Sequence, residues 1–326
     1  MEVCSGDSER LIVATNTPSC VPSCTPSPKR EEPLRIAVSS RCLFDLDEDA
    51  NAFSRDGLEA HVRSQIAKEM SVLRPGPAFP LMNRMLALTS EGTPLVEGII
   101  VSGQHPFVGM RVMASAKHYG LPLDRAIFTG GRPSHSYLTA MGVDLFLTRN
   151  AQDAQLALDA GVAAAVMGPL PTSWVEDKDS PITLALDGDA VIFDDECEAV
   201  SKRDGLKAFY ERQEEMLTEP LADGPFAKLF RRLNGLREQA PGAVRICLVT
   251  ARDSVARDRA LMTLRAWGIQ PDEAYFLGGI RKGGIIKAMR PHIFLDDAVH
   301  HIQDSGEHAP SGRVPYLSSG KVAGLS

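Results

Sequence analysis

The amino-acid sequence predicts an α/β fold of two tandem Rossmann-like lobes with parallel sheets, each with a small helical cap insertion, the N-terminal lobe being degenerate. Three observations carry that expectation. Short apolar runs bounded by Gly, Pro and Asp alternate with longer helical patterns, which is how parallel strands joined by helical crossovers read in sequence. The chain matches itself at a constant offset, the 148 residues that separate Arg55 from Arg203. Its 326 residues, 44% of them hydrophobic, are enough for two ordinary cores.

The repeat is concrete. Arg55-Asp-Gly-Leu58 recurs as Arg203-Asp-Gly-Leu206, Gly76-Pro77 as Gly224-Pro225, and Phe128-Thr-Gly-Gly131 as Phe276-Leu-Gly-Gly279. The apolar runs Ile36–Val38, Ile99–Val101 and Leu145–Leu147 fall on Leu184–Leu186, Cys247–Val249 and Ile293–Leu295. In the second copy the pattern predicts strands near 182–186, 244–249, 274–277, 292–295 and 313–316, with helices near 196–217, 224–238, 254–267 and 283–289. The expected organisation is a disordered tail over 1–33, a degenerate lobe over 34–175, and a catalytic lobe over 176–326 with a helical cap at about 196–243. Paired glycines at 130–131 and 278–279 occur in both copies and therefore read as backbone geometry, not as a phosphate cradle.

The bulk numbers exclude some partners. A net charge of -7 and a pI near 5.7 argue against a nucleic-acid polymer. No apolar stretch reaches the roughly 20 residues that span a bilayer, and no basic start precedes an apolar segment, so a cytoplasmic protein with no membrane partner is expected. Six cysteines are few for this length; Cys42 and Cys247 lie in apolar runs and read as buried reduced thiols. Cys20-x-x-x-Cys24 has no second ligand pair nearby, and His292, His300 and His301 form no spaced set with cysteine, so a transition-metal site is not expected.

Polar residues at strand ends separate the two copies. Ile182–Leu186 runs directly into Asp187-Gly188-Asp189, Leu248-Val249 into Thr250-Ala251-Arg252, and Phe294-Leu295 into Asp296-Asp297, while Lys282 follows Gly278-Gly279. An Asp-Gly turn without function is the competing reading of the first of these. The first copy decides against it, because it keeps the scaffold but carries Ser39 for Asp187, Arg41 for Asp189, Ser102 for Thr250, Ser134 for Lys282, Thr148 for Asp296 and Arg149 for Asp297. In open α/β sheets such strand ends converge on one crevice.

The set is what phosphoryl transfer through a covalent aspartyl intermediate requires. A carboxylate at 187 can attack phosphorus once a divalent cation and an ammonium neutralise the repulsion between anions. Asp296 and further carboxylates suit Mg²⁺, a hard cation that takes oxygen ligands. Thr250 would donate to a phosphate oxygen and Lys282 would supply charge, with Lys287 as the competing lysine. Asp189 could protonate the leaving oxygen and then activate water. Arg252 reads equally as a phosphate contact or as the partner of a carboxylate. Phe209, Tyr210 and Phe226 are candidates to stack on a base, although aromatics at helical spacing are more often core.

These ordered motifs resemble the haloacid dehalogenase superfamily of aspartate-nucleophile phosphohydrolases. Ala37-Val-Ser-Ser-Arg41 with Leu43-Phe-Asp45, Pro75-Gly-Pro-Ala-Phe-Pro80, Leu186-Asp-Gly-Asp-Ala-Val191, Leu248-Val-Thr-Ala-Arg252 and Arg290-Pro-His-Ile-Phe-Leu-Asp-Asp297 resemble, more closely, the cytosolic type I 5′-nucleotidases. The resemblance runs from about residue 35 to 316. It implies Mg²⁺-dependent hydrolysis of nucleoside 5′-monophosphates of the AMP and IMP class, with a nucleotide effector and a homo-oligomer among the properties to test. It implies Asp187 as nucleophile, Asp189 as acid and base, and Thr250, Lys282 and Gly188 around the phosphate. The metal would fall to Asp187, Asp296, Asp297 and Asp189, the last through its backbone carbonyl. The rival readings are a phosphatase of the same chemistry on other small esters and a nucleotide-binding regulatory protein without turnover.

Overall fold

The computed structural model describes residues 32–69 and 71–323, so most of the expected tail, with Cys20-x-x-x-Cys24, lies outside the described residues. The described residues form twelve strands: β1 (Leu34–Val38), β2 (Thr89–Ser90), β3 (Thr93–Pro94), β4 (Val96–Ser102), β5 (Arg125–Phe128), β6 (Leu145–Thr148), β7 (Ala163–Met167), β8 (Ile182–Leu186), β9 (Val244–Thr250), β10 (Glu273–Phe276), β11 (Ile293–Asp296) and β12 (Ser311–Arg313). β2 and β3 form a separate small hairpin, and the other ten make one sheet in the order β10-β9-β8-β11-β12-β7-β6-β1-β4-β5. Every pairing in that sheet is parallel except β12 with β7.

Strand order repeats within the sheet. β8 lies between β9 and β11 as β1 lies between β4 and β6, and the outer strands β10 and β5, β12 and β7 correspond likewise. The two halves meet where Gly312 pairs with Met167 and Arg313 with Val166. The described residues from 32 on form one compact unit, with the two half-sheets joined edge to edge. The reason lies at the seam: Ala163, Ala164, Ala165 and Met167 of β7 are buried, so leaving that edge unpaired would expose an apolar strand.

Most strands of the second half form where the sequence places them, on apolar runs of the kind buried in sheets covered by helices on either side; the last is Ser311–Arg313 and not 313–316, a Ser-Gly-Arg segment that no apolar run marks. All five residues of β8 are buried. The helices Glu196–Glu215, Ala227–Gln239, Ser254–Ala266 and Gly283–Met289 lie close to the expected spans. Ala227–Gln239 buries Leu229, Phe230, Leu233 and Leu236 and packs on β9 and β1, so this half of the expected 196–243 insertion belongs to the core layer. Phe226 is fully buried there, which removes it from the base-stacking candidates. Cys42 and Cys247 are buried free thiols, as is Cys197; burial raises the Cys247 thiol to about 12. Among the described residues no helix is long and apolar enough to cross a membrane.

Backbone detail fixes the repeated turns. Gly130, Gly131, Gly278 and Gly279 all have positive φ, 60°, 92°, 55° and 84°, a conformation side chains resist, so the glycine pairs serve geometry as expected. At Gly76 and Gly224 a Cβ would run into the backbone of Cys42 and Phe44, and of Phe193 and Val191, respectively.

His292, at the foot of β11, sets a pH dependence of stability. The backbone N–H of Thr183 donates to its Nδ1 over 3.1 Å, which requires that nitrogen to be unprotonated. Burial, aided by the charges of Arg84 and Arg245, pushes the imidazole down to about 4 from an ordinary 6.5. Between those values the unfolded chain binds the proton and the folded chain does not, so the contribution is whole above about 6.5 and shrinks as pH falls toward 4. Acidification from pH 7 to 5 is expected to cost about 2 kcal/mol through this residue. Urea unfolding at both pH values should show a smaller loss in His292→Asn, whose amide oxygen can accept from Thr183 without titrating; an equal loss would contradict the assignment.

Candidate active site

The second half of the sheet brings most of the expected residues to one place. β8 ends at Leu186, and the Asp187 N–H donates to Leu295 O of β11 over 2.9 Å, which seats Asp187 beside Asp296 at the ends of adjacent strands. Asp187, Asp296 and Asp297 each offer a carboxylate oxygen within 4.8 Å of the others, and all three are buried. Lys282, with no exposed surface, places Nζ 2.8 Å from Asp187 Oδ1 and 2.6 Å from Asp296 Oδ2. This settles the choice between the two lysines on geometry: Lys282 is in the cluster.

Two acids beside the same lysine have opposite shifts. Burial raises Asp187 to about 7 despite Lys282, with Asp296 and Asp189 adding repulsion. Burial also works against ionised Asp296, but Lys282 and His301 outweigh it and hold that carboxyl below its usual range. The partners explain the difference. Asp296 accepts from Lys282, from the Ala298 N–H at 2.8 Å, and faces His301 Nδ1 at 3.1 Å, whereas Asp187 Oδ1 is buried with no hydrogen bond and only the off-line ion pair to Lys282. Asp297 is raised well above the usual range, first by burial and then by Asp187 and Asp296, although Tyr316 donates to its Oδ2 over 2.5 Å. Burial lowers Lys282, yet the two carboxylates carry it above its ordinary value.

This donor set fits a hard divalent cation. Three clustered oxygen donors, one of them an orphaned buried oxygen, repel one another in a dry pocket with a single ammonium among them, and a cation would relieve that repulsion.

Asp189 stands apart from the cluster. Its carboxylate receives a two-pronged hydrogen bond from Arg252, 2.9 Å from Nε and 2.5 Å from the terminal nitrogen. That resolves the reading of Arg252 in favour of pairing with a carboxylate. Arg252 is itself buried and also donates to Ala256 O at 3.1 Å, so it anchors Asp189 to the loop after β9. Thr250 is fully buried; its Oγ1 accepts from the Arg252 N–H over 3.3 Å, which leaves its hydroxyl hydrogen free to donate to a ligand. Gly188 lies beside it, a Cβ there meeting Thr250 Oγ1 at 3.4 Å.

The turn holding these acids is one residue longer than its counterpart. Phe193 N–H donates to Gly188 O, five residues back, while Phe44 N–H donates to Ser40 O, four back. Gly224 and Phe226 bond to Ile192 and Val191 as Gly76 and Ala78 bond to Leu43 and Cys42, so the added residue falls between 188 and 191. Ala190 takes φ 57°, a strained value for a side-chain-bearing residue. Single π-type turns and such strain concentrate at functional sites. An ungapped comparison at a constant offset hides this insertion.

Two residues escape the sequence reading. His301 is considered there only as a metal ligand with cysteines, and Tyr316 not at all; both hydrogen-bond the acids of the cluster. The signal for His301 was its place five residues after Asp296, in the helix Val299–Ser305 that follows β11.

Comparison with known proteins gives the family. A family model described as 5′-nucleotidase matches residues 26–321. Human cytosolic 5′-nucleotidase 1B is 34% identical over 303 residues, covering 88% of this chain and 49% of the human protein. The chain thus spans about half the length of the curated relative it matches. Extended similarity of this kind, together with a buried acid cluster at the strand ends, means that the chain belongs to the 5′-nucleotidase family.

Proposed function

We propose that this chain hydrolyses nucleoside 5′-monophosphates, of the AMP and IMP class, to nucleoside and phosphate with Mg²⁺, through an aspartyl phosphate on Asp187. The observation that carries the reading is the buried cluster of Asp187, Asp296 and Asp297 bridged by Lys282. Family membership and the name of the human relative support the nucleotide as substrate.

Asp187 attacks phosphorus, the bond to the 5′-oxygen breaks, and Asp189 passes a proton to that oxygen so that the nucleoside leaves. Asp189 then takes a proton from water, whose oxygen attacks the phosphorus of the aspartyl phosphate; phosphate departs and the Asp187 carboxylate is restored. Arg252 holds Asp189 in place for both transfers. Thr250 donates to a non-reacting phosphate oxygen, and Lys282 neutralises charge at Asp187 and the incoming phosphate. Asp187, Asp296, Asp297 and the backbone carbonyl of Asp189 would hold Mg²⁺, which when bound would supply the charge neutralisation that lets two anions meet. Asp296 is kept ionised for that task by Lys282 and His301.

A panel of AMP, IMP, UMP and sugar phosphates tests the reading. With Mg²⁺ the purified chain is expected to release phosphate from the nucleotides well ahead of the sugar phosphates, and excess EDTA should stop it. Equal or better release from sugar phosphates would replace the substrate, and no release from any ester would sink the enzymatic reading.

A further inference from the structure

The first half of the sheet has a cavity where the second half has its acids. It measures about 460 Å³ and is lined at its polar end by Ser39, Arg41, Ser102, Thr148 and Arg149. These sit at the ends of β1, β4 and β6, the counterparts of β8, β9 and β11.

The backbone around that end is kept nearly bond for bond. Ser39 N–H donates to Leu147 O over 2.9 Å as Asp187 N–H does to Leu295 O. Ser102 Oγ accepts from the Gln104 N–H at 3.3 Å as Thr250 accepts from Arg252, and Thr148 Oγ1 accepts from Asn150 N–H as Asp296 does from Ala298. Gly130 and Gly131 bond back to Gln104 and Gly103 as Gly278 and Gly279 do to Arg252 and Ala251. The loops after β4 and β6 therefore keep the backbone bonds of those after β9 and β11, while the turn after β1 is one residue shorter than that after β8.

The chemistry of the side chains is inverted. Three hydroxyls replace Asp187, Thr250 and Asp296, and those of Ser102 and Thr148 accept from the backbone and so keep a hydrogen to donate. Ser39 Oγ is buried without a hydrogen-bond partner, and so is Arg41 Nε. Arg149 replaces Asp297. Among the described lining residues Arg41, Arg132 and Arg149 are cationic and Asp153 is acidic; Asp47 pairs with Arg41 at 2.9 Å and Arg149 at 3.4 Å. Without clustered carboxylates such a site needs no metal to accept an anion, and without a nucleophile it cannot turn one over.

The geometry points to a second phosphate site: the first half binds the phosphate group of a small molecule in this cavity, independently of divalent cation, and does not hydrolyse it. Hydroxyl donors and forked guanidiniums are the groups that recognise a phosphoryl oxyanion. The volume leaves room beyond phosphate for the organic part of an ester.

Equilibrium dialysis of the full chain against radiolabelled inorganic phosphate, in EDTA, tests this. About one phosphate per chain is expected to bind, weakened at least about tenfold in Arg149→Met and unchanged in Thr250→Val. Because Arg149 also pairs with Asp47, Ser39→Asp provides a second variant, with folding checked by melting: it puts a carboxylate where the anion would sit and should abolish binding. Competition by AMP in the same buffer identifies an ester as the ligand, and failure to compete identifies free phosphate. No saturable binding at millimolar phosphate, or binding lost in Thr250→Val but kept in Arg149→Met and Ser39→Asp, would overturn the second site.

Discussion

Asp187→Asn is expected to abolish phosphate release, by roughly 10⁴-fold or more in kcat, the scale on which removal of a covalent nucleophile acts. The amide is nearly isosteric, so the pocket need not rearrange, but its nitrogen cannot attack phosphorus. Stability should hold or rise. Asp187 is buried, repelled by Asp296 and Asp189, and raised to about 7, so an uncharged group at this position removes an unfavourable charge from the dry interior. On one preparation turnover should therefore collapse while melting holds or rises, which loss of a merely structural aspartate would not produce. Loss of both together, or activity within tenfold of wild type, would count against the nucleophile.

Lys282→Met is expected to damage both. The ammonium is the only cation within ion-pair distance of Asp187 among the described residues, and it is fully buried between that group and Asp296. Its removal leaves Asp187 without a cation and Asp296 with only His301 and the Ala298 N–H, a change of the kind that typically costs about 3–5 kcal/mol. Turnover should fall by about 10³-fold, since charge on the phosphoryl group loses a preorganised partner. The double variant Lys282→Met with Asp187→Asn should recover much of the lost stability, because one of the two stranded charges is gone. A denaturant midpoint no better in the double variant than in Lys282→Met would show that the cost lies in packing and not in charge.

The acids and their neighbours were legible because the cluster sits at strand ends, and strands buried on both faces write themselves as apolar runs. Ile182–Leu186 is wholly apolar but for one threonine, so the residues that follow it had to lie at a sheet edge. The degenerate copy then separated chemistry from scaffold. What the sequence left open were relations across the chain. Arg252 could have faced phosphate or carboxylate, and only its hydrogen bonds to Asp189, 63 residues away, decide. Tyr316 reaches Asp297 from beyond β12, where no motif draws attention. The joining of two half-sheets through β7 and β12 depends on two residue pairs, too little pattern to read in advance.

The central claim is that Asp187 becomes phosphorylated by a nucleoside 5′-monophosphate. The most direct measurement incubates the chain with [³²P]AMP and Mg²⁺, quenches in acid within the first turnover, and maps the label by peptide. The account predicts acid-stable, hydroxylamine-sensitive label on the peptide containing Asp187, increased in Asp189→Asn, where attack of water is slowed, and absent in Asp187→Asn. Release of phosphate from AMP with no label on that peptide in either protein, or label that persists in Asp187→Asn, would contradict it.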